Sequence, residues 1–197
     1  MCIRDSYAIY LSYTSNITVE NNYFDGWRAD KKSDGVFADY SHHITIDNNT
    51  FRNFMIPASH AVRTTHSHHI TLSNCSATGY FHAAFDFHHD TSYSTMKNCK
   101  VYNHTGFQAR SIYVHYYSHD NLVENCQAWD RCPHMQIGRG WNNTFRNCIG
   151  NSISIWKSRD NIIENCSFTG RAYILTHDVE FPNTNNSFIR CSIPLYE

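Results

Sequence analysis

The sequence predicts an all-β solenoid, a parallel β-helix of about eight coils. Three observations support this fold class. A turn dipeptide recurs eight times along 197 residues, apolar residues two apart precede each turn, and each repeat is too short to bury an apolar face without a neighbour. Long runs with the 3.6-residue period of a helix are absent from the sequence, which excludes a helical solenoid.

The recurring dipeptide ends in Asn in the first two repeats and in Cys in the other six. Steps of 18 to 27 residues separate its copies, which are Asn21-Asn22, Asn48-Asn49, Asn74-Cys75, Asn98-Cys99, Asn125-Cys126, Asn147-Cys148, Asn165-Cys166 and Arg190-Cys191. Asn is favoured in turns because its short amide tolerates left-handed backbone and bonds to neighbouring main chain. Stacked at the inter-strand spacing of about 4.8 Å, eight such coils form a rod roughly 38 Å long.

The residues around each turn alternate with the period of a strand. Three residues before the second residue of the dipeptide stand Val19, Ile46, Leu72, Met96, Val123, Phe145, Ile163 and Phe188. Two residues after it stand Phe24, Phe51, Ala77, Val101, Ala128, Gly150, Phe168 and Ile193. Alternation of apolar and polar residues predicts that these two sets point inward.

Six of the eight cysteines share the second dipeptide position in consecutive repeats. Stacked in register, Cys75, Cys99, Cys126, Cys148, Cys166 and Cys191 form an inward ladder. Their parallel Cβ vectors make the disulfide torsion difficult, so we expect buried free thiols that act as small hydrophobes. Cys126, Cys132 and His134 lack the second close ligand pair of a zinc site, so no metal site is predicted.

These repeats resemble the right-handed parallel β-helix of the pectate-lyase-like superfamily over nearly the whole chain. The resemblance implies a right-handed, single-stranded solenoid, whereas the fold alone leaves the activity open. Residues 1–6 do not fit the repeat and read as a non-native leader. We expect residues 7–197 to form the β-helix domain and to be a fragment of a longer chain.

Composition narrows the choice of partner. A formal net charge of −1 argues against a nucleic-acid binder, and we expect no membrane partner. The 14 histidines are the unusual feature, since their full protonation moves the net charge to +13. Affinity for polyanions is therefore expected to rise in mild acid.

A second strand precedes each turn strand, and its outward positions form a polar column. We expect this column to contain Tyr40, His66, His88, His115, Arg139, Lys157 and His177, with Asp39, Arg63, Asp86 and Arg110 nearby. Arg pairs with uronate carboxylates and aromatic rings stack on sugar faces, so the column suits an extended acidic glycan. The competing interpretation is a solvated face, which any β-helix in water needs.

Substrate-binding and catalytic residues are assigned separately along this face. The predicted substrate-binding residues are Arg63, His66, Tyr116, Arg139 and Lys157. The predicted catalytic residues cluster in the central coils and are Asp86, His88, Arg110, Tyr113 and His115.

The string Phe85-Asp86-Phe87-His88-His89-Asp90 resembles the Asp-Pro-His-acid motif of alginate C5-epimerases, which share the β-helix fold. Asp86 and His88 occupy the matching places. Phe87 replaces the Pro, His89 replaces the acidic residue, and Ala83 stands where that family has a catalytic Tyr. Similar Asp-x-His strings occur in β-helix proteins of phage tails.

That resemblance implies removal of the C5 proton next to a carboxylate, the first step shared by lyases and epimerases. Arg110 or Arg63 would neutralise the carboxylate, and His88 or His115 would act as base. Tyr113 or Tyr116 would act as acid, and Asp86 would orient a histidine. No cofactor is required, although calcium held by Asp86 and Asp90 is an option.

Other function classes stay open. Hydrolysis needs two carboxylates flanking the bond, and only Asp39, Asp86 and Asp90 lie on the candidate face. The polygalacturonase strings Asn-Thr-Asp and Gly-His-Gly and the pectate-lyase string Trp-Ile-Asp-His are absent from the sequence.

The alternative to an enzyme is a non-catalytic glycan-binding or structural β-helix. Examples are a segment of a phage tailspike, which can be homotrimeric, or a segment of an adhesin. In every case we expect a secreted, extracellular or virion-surface protein.

Overall fold

Stacked coils form a solenoid with three parallel sheets in the computed structural model of the chain. The model describes residues 6–25, 33–55, 59–80, 82–104, 110–129, 134–175 and 183–194. Along the rod, strands of successive coils pair in parallel, and each coil contributes in turn to the first, second and third sheet. The predicted fold class, an all-β single-stranded parallel β-helix, is confirmed.

Within the described residues, the first and second sheets each contain eight strands, and the third contains seven. The first sheet consists of β1 (Ser6–Ser12), β4 (Ser33–Asp39), β7 (His60–Thr65), β10 (Ala83–Phe87), β13 (Arg110–His115), β16 (His134–Gly138), β19 (Ser152–Trp156) and β22 (Ala172–Leu175). The second consists of β2 (Thr18–Glu20), β5 (Thr45–Asp47), β8 (Thr71–Ser73), β11 (Thr95–Lys97), β14 (Leu122–Glu124), β17 (Thr144–Arg146), β20 (Ile162–Glu164) and β23 (Ser187–Ile189). The third consists of β3 (Tyr23–Asp25), β6 (Thr50–Met55), β9 (Ser76–Tyr80), β12 (Lys100–His104), β15 (Gln127–Trp129), β18 (Ile149–Gly150) and β21 (Ser167–Phe168).

The dipeptide turns lie between the second and third sheets. Their first residues have left-handed backbone in all eight coils, with φ between 52° and 58° at Asn21, Asn48, Asn74, Asn98, Asn125, Asn147, Asn165 and Arg190. This left-handed conformation costs an L-residue about 1–2 kcal/mol, and Asn is among the residues that adopt it most readily. The recurrent Asn therefore has a conformational cause.

Inward positions form continuous ladders through the rod. Ile46, Leu72, Met96, Val123 and Phe145 are fully buried, as predicted. Five of the six ladder cysteines are also buried free thiols, and Cys191 in the last described coil is partly buried. Burial raises the pKa of the Cys99 thiol well above its ordinary value, which leaves it protonated and inert.

A second internal ladder stands just before the strands of the second sheet. It is apolar in the first three coils, at Ile17, Ile44 and Ile70, and polar from the fourth coil onward, at Ser94, Asn121, Asn143, Asn161 and Asn186. The amide of Asn121 donates from Nδ2 to the Thr91 carbonyl at 2.8 Å and to Asn143 Oδ1 at 3.1 Å. Asn143 repeats the pattern with the Ser118 carbonyl and Asn161 Oδ1. Because each buried amide is bonded along the stack, these polar side chains can be accommodated inside the rod.

The turn between the first and second sheets is longer in two central coils. After β10, both His89 and Asp90 have left-handed backbone, and after β13 both Tyr116 and Tyr117 do. Flanking coils use a single left-handed residue, such as His66. The hydroxyl that closes each turn shows the same difference. In the regular turns, the carbonyl two residues back accepts from the hydroxyl of Ser41, Ser67 or Ser158. In the two central coils, the carbonyl three residues back accepts from the hydroxyl of Thr91 or Ser118. Two neighbouring coils thus carry one extra residue each at the same edge.

Candidate functional site

The candidate site lies on the outer face of the first sheet, beside these lengthened turns. Parallel pairing aligns Arg63 on β7 with Asp86 on β10, and Asp86 with Tyr113 on β13. Tyr113 is in turn aligned with Gln136 on β16. One column of the sheet therefore carries, in neighbouring coils, a guanidinium, a carboxylate, a phenol and an amide.

A buried chain of charged side chains crosses three coils at this point. Asp34 Oδ1 lies 2.9 Å from His60 Nδ1, and His60 Nε2 lies 3.4 Å from Asp86 Oδ2. Asp86 Oδ2 is also 3.3 Å from His88 Nδ1, and Asp34 Oδ2 is 2.9 Å from Arg63 Nη2. We call these five residues the acid–histidine network. Both carboxylates are fully buried, whereas the His88 side chain is 17% exposed and forms the accessible end.

Electrostatics keep both buried carboxylates of this network charged. Burial opposes the charge on Asp86, but the ring nitrogens of His88 and His60, which lie 3.3 and 3.4 Å away, outweigh it, so the pKa of Asp86 is lowered. The pKa of Asp34 is lowered as well, because bonds and charges from His60 and Arg63 outweigh burial. Burial likewise opposes charge on His60, yet its bonds to Asp34 and Asp86 raise its pKa. These contacts favour the imidazolium form of His60 between the two carboxylates.

One coil further along, the environment is the opposite. His115 is 4% exposed, and burial lowers its pKa to about 3 despite the attraction of Asp86. Neither of its ring nitrogens has a hydrogen-bond partner among the described residues. Its ring stacks on Tyr113 at 4.3 Å between centroids, and burial raises the pKa of the Tyr113 hydroxyl. A neutral imidazole and a neutral phenol thus stand beside a charged acid–histidine pair.

Three arginines surround the site, each in a different state. Arg63 is bound to Asp34 and lies over the Phe37 ring at 4.1 Å. Arg110 donates from Nε to Gln136 Oε1 and lies 5.0 Å from the Tyr113 ring. Arg139 packs 5.3 Å from the Tyr116 ring, and its Nε has no hydrogen-bond partner in the described part of the chain.

Next to the network, the turn that follows the strands of the first sheet carries an exposed column of stacked rings. Tyr40 stacks on His66 at 4.4 Å, His66 on His89 at 6.1 Å, and His89 on Tyr116 at 4.6 Å, all with nearly parallel planes. Arg139 continues the column over Tyr116. We call it the ring column, and it runs along the rod for several coils.

The ring column corrects one sequence prediction. His88 and His115 were expected in the same column as Tyr40 and His66, but the structure places His89 and Tyr116 there. His88 and His115 stand one residue earlier, and His115 is paired with Gly138 on the sheet face. The extra turn residue in the two central coils is the cause, because spacing to the next strand then no longer identifies which residue fills the column. His177, also predicted for it, lies outside the described residues.

The structure brings together all five predicted catalytic residues within two neighbouring strands and their turns. Asp86 and His88 belong to the network, and the His88 and His115 rings are 5.7 Å apart. Tyr113 and Arg110 follow on β13. The predicted substrate-binding residues are spread over a longer distance along the rod. Arg63 belongs to the network, His66, Tyr116 and Arg139 belong to the ring column, and Lys157 lies 4.9 Å from the Trp156 ring.

Sequence reasoning missed Asp34 and His60, which complete the network. Their signal was present as polar residues at the starts of β4 and β7, paired in register with each other. It was also overlooked that Trp156 lies near His115, at 5.9 Å between rings.

Among the described residues, no group of three or more His, Cys, Asp or Glu side chains surrounds a possible metal position. Cys132, which was considered with Cys126 and His134 as a metal ligand from the sequence, lies outside the described residues. The same residues contain no helix with the length and apolarity needed to cross a bilayer. An open depression of about 550 Å³ lies elsewhere, over the second sheet near Tyr93 and Arg146.

Comparison with known proteins identifies the family. The family model described as right-handed β-helix region matches residues 34–149, more than half of the chain. The chain belongs to the right-handed β-helix family. No curated protein and no solved structure matches it significantly. The matched segment of this β-helix protein includes the network, the ring column and both lengthened turns. The family fixes the fold and its hand, and the activity has to be argued from the site itself.

Proposed function

We propose that this β-helix protein acts on an acidic polysaccharide, a polyuronate, by abstraction of the C5 proton, as a lyase or an epimerase. The observation that carries the proposal is the acid–histidine network ending at the partly exposed His88, beside the neutral His115 and Tyr113. Environments that push the pKa values of neighbouring groups apart provide the separate acid and base that proton transfer needs.

The geometry supports a specific division of roles. Asp86 Oδ2 faces Nδ1 of His88 at 3.3 Å, which leaves Nε2 as the nitrogen that can take the C5 proton of a bound sugar. The electron pair of the broken C–H bond moves onto the uronate carboxylate, where a cation is needed. Arg139 is the better-placed cation, because Arg63 is engaged by Asp34 and Arg110 by Gln136.

The second half of the reaction needs a proton donor. Tyr113 keeps its hydroxyl proton because burial raises its pKa, so it qualifies as the acid. In a lyase the C4–O4 bond breaks, a C4–C5 double bond forms, and the donor protonates O4. In an epimerase the donor returns a proton to the opposite face of C5 and the chain stays intact.

The ring column supports binding of an extended chain. Tyr40, His66, His89 and Tyr116 offer flat faces in consecutive coils, and sugar rings stack on such faces. Because the column runs beside the network, a polymer lying on it would pass His88 with one residue at the reactive position.

The same column also favours the second candidate function, a non-catalytic glycan-binding β-helix. Asp86 is fully buried, and a network of that kind can stabilise the central coils without reacting. Under this alternative, binding depends on the ring column and not on His88.

The test is NMR of a polyuronate panel incubated with the full chain in deuterated water. Unsaturated chain ends identify a lyase, and deuterium at C5 without cleavage identifies an epimerase. His88→Gln should abolish either signal, whereas Asp90→Asn, on an exposed neighbouring side chain, should retain it.

Binding separates the two candidate functions. If the folded parent binds a polyuronate but leaves its C5 protons unexchanged, the glycan-binding alternative replaces the enzyme proposal. His66→Ala should then weaken that binding, and His88→Gln should leave it unchanged.

A further inference from the structure

Between the first and second sheets, successive coils also pair through isolated parallel bridges, which include His42 and His68. The turn that leads from these bridges into the second sheet carries a cluster of four histidines in two adjacent coils. His42 and His43 stand directly over His68 and His69. The first ring of each pair stacks at 5.0 Å and the second at 4.9 Å, with planes within 5° of parallel. Within each coil the two Nδ1 atoms are 2.8 Å apart. We call these residues the histidine quartet.

The Nδ1 contacts are sensitive to protonation. A bond between two ring nitrogens requires that one carries the proton and the other accepts it. A second proton on the same pair removes the acceptor and places two like charges at contact distance. Each pair of the quartet is therefore stable when neutral and opposed when doubly charged, unless a negative group intervenes.

Among the described residues, no ion pair joins a carboxylate to any of the four rings, and the nearest acidic side chains are bonded elsewhere. Desolvation lowers the pKa of His68, and the charges of His69, His42 and His43 lower it further, with no carboxylate among the causes. Asp39, at the end of β4, accepts bonds from Thr65 and His66, and Asp47, on β5, accepts bonds from Ser73 and Asn74. The next coil adds the neutral ring of Tyr93, which stacks on His69 at 5.8 Å. The preceding coil adds Ser15, bridged to His42, and Asn16.

His119 provides an internal contrast. It occupies the same bridging column as His42 and His68. Its Nδ1 lies 2.7 Å from Asp120 Oδ2, and its Nε2 lies 3.8 Å from Asp90 Oδ1. At this position in the column the chain therefore provides its own anion, whereas at the quartet it does not.

We propose that the histidine quartet is a proton-gated binding site for an oxyanion, that is, a sulfate, phosphate or carboxylate group. Protonated rings at 5 Å spacing donate to separate oxygens of one such group, and the bound charge replaces the missing carboxylate. The site binds the anion only when its rings carry protons. Since it lies on a different turn from the acid–histidine network, it stands independently of the proposed enzymatic function.

The test is a titration of the full chain with inorganic sulfate, in the presence of a chelator and at constant ionic strength, at pH 5.5 and pH 7.5. We expect the affinity to be at least tenfold higher at pH 5.5. The double variant His43→Gln/His69→Gln, which changes the two exposed rings, should lose this binding, and His119→Gln should keep it. Parallel titrations with phosphate and acetate rank the oxyanion classes.

A second variant keeps the test sharp. His43→Lys/His69→Lys carries permanent charge, so its affinity for sulfate should be the same at the two pH values. Binding that is equal at both pH values in the parent, or that survives in the Gln double variant, would overturn the proposal. So would the absence of sulfate binding at pH 5.5 while far-UV circular dichroism shows the chain to be folded.

Discussion

Two turns of the same coil follow different rules. The turn at the cysteine ladder has one left-handed Asn in nearly every coil and a thiol or amide pointing inward, with little variation from end to end. The turn beside the first sheet has one left-handed residue in most coils and two in the central pair. Among the described residues, the buried carboxylates Asp34 and Asp86 both lie on the first sheet, and Asp86 stands on the strand that leads into one of the lengthened turns. The repeat thus defines the scaffold, and its interruption marks the candidate site.

The largest expected effect is at the regular turn. Cys126→Asp should unfold the central coils, because it places an unpaired charge in a fully buried ladder at a cost of several kcal/mol. Urea denaturation measures the loss. Cys191→Asp is the matched control, since Cys191 is only partly buried, and it should lose much less. If Cys126→Asp unfolds at the same urea concentration as the parent, the inward assignment of the ladder is wrong.

At the irregular turn, Asp86→Asn should reduce the free energy of unfolding by about 3–5 kcal/mol. The reason is that His60 would lose one of its two carboxylates while remaining buried. Asp90→Asn should change stability by less than about 0.5 kcal/mol, because its side chain is 62% exposed. Equal effects of the two substitutions would show that the network contributes no more than a surface ion pair.

The dependence of stability on pH should separate His115 from His60. The pKa of His115 is about 3 when folded, below the unfolded value of about 6.5, so the unfolded state takes up its proton first as pH falls. Stability is then lost by up to about 1.4 kcal/mol per pH unit between pH 6 and 4. His115→Gln should flatten that part of the curve. An unchanged slope in urea melts of the variant would show that His115 is charged in the fold.

The contribution of His60 to the free energy of unfolding depends on pH in the opposite direction. Its pKa is raised, so its contribution is complete below pH 6.5 and is lost as pH rises through the folded pKa. His60→Gln should therefore lower stability more at pH 6 than at pH 9. Greater destabilisation at pH 9 than at pH 6 would contradict the charged state of His60.

A modest effect on stability is expected from shortening the irregular turn. Deletion of Asp90 should change the free energy of unfolding by less than about 2 kcal/mol, because it removes one left-handed residue and restores the spacing of the flanking coils. The C5-exchange activity proposed for the site should nevertheless disappear. Deletion of Tyr40, the single left-handed residue of a regular turn, should destabilise the chain by more. The reverse order would mean that the extra residue is a structural requirement.

The fold could be predicted from sequence because its determinants repeat. Val123, Cys126 and Asn125 have counterparts one coil away, and the period alone places them inward or in the turn. The site could be predicted only in part. Asp86 and His88 stood out as a local string, but recognising Asp34 and His60 required the pairing of strands from different coils. The predicted column failed at His88 and His115 because an added turn residue breaks the period there.

The most direct test of the account is a side-chain ¹⁵N NMR titration of the histidines from pH 5 to pH 9. We expect His60 to keep both ring nitrogens protonated at pH 7, while His115, two coils away, stays neutral down to pH 5. His60→Gln and His115→Gln assign the two signals. If both histidines instead titrate together near pH 6.5, the carboxylates do not separate their charges, and the proposed acid–base site is contradicted.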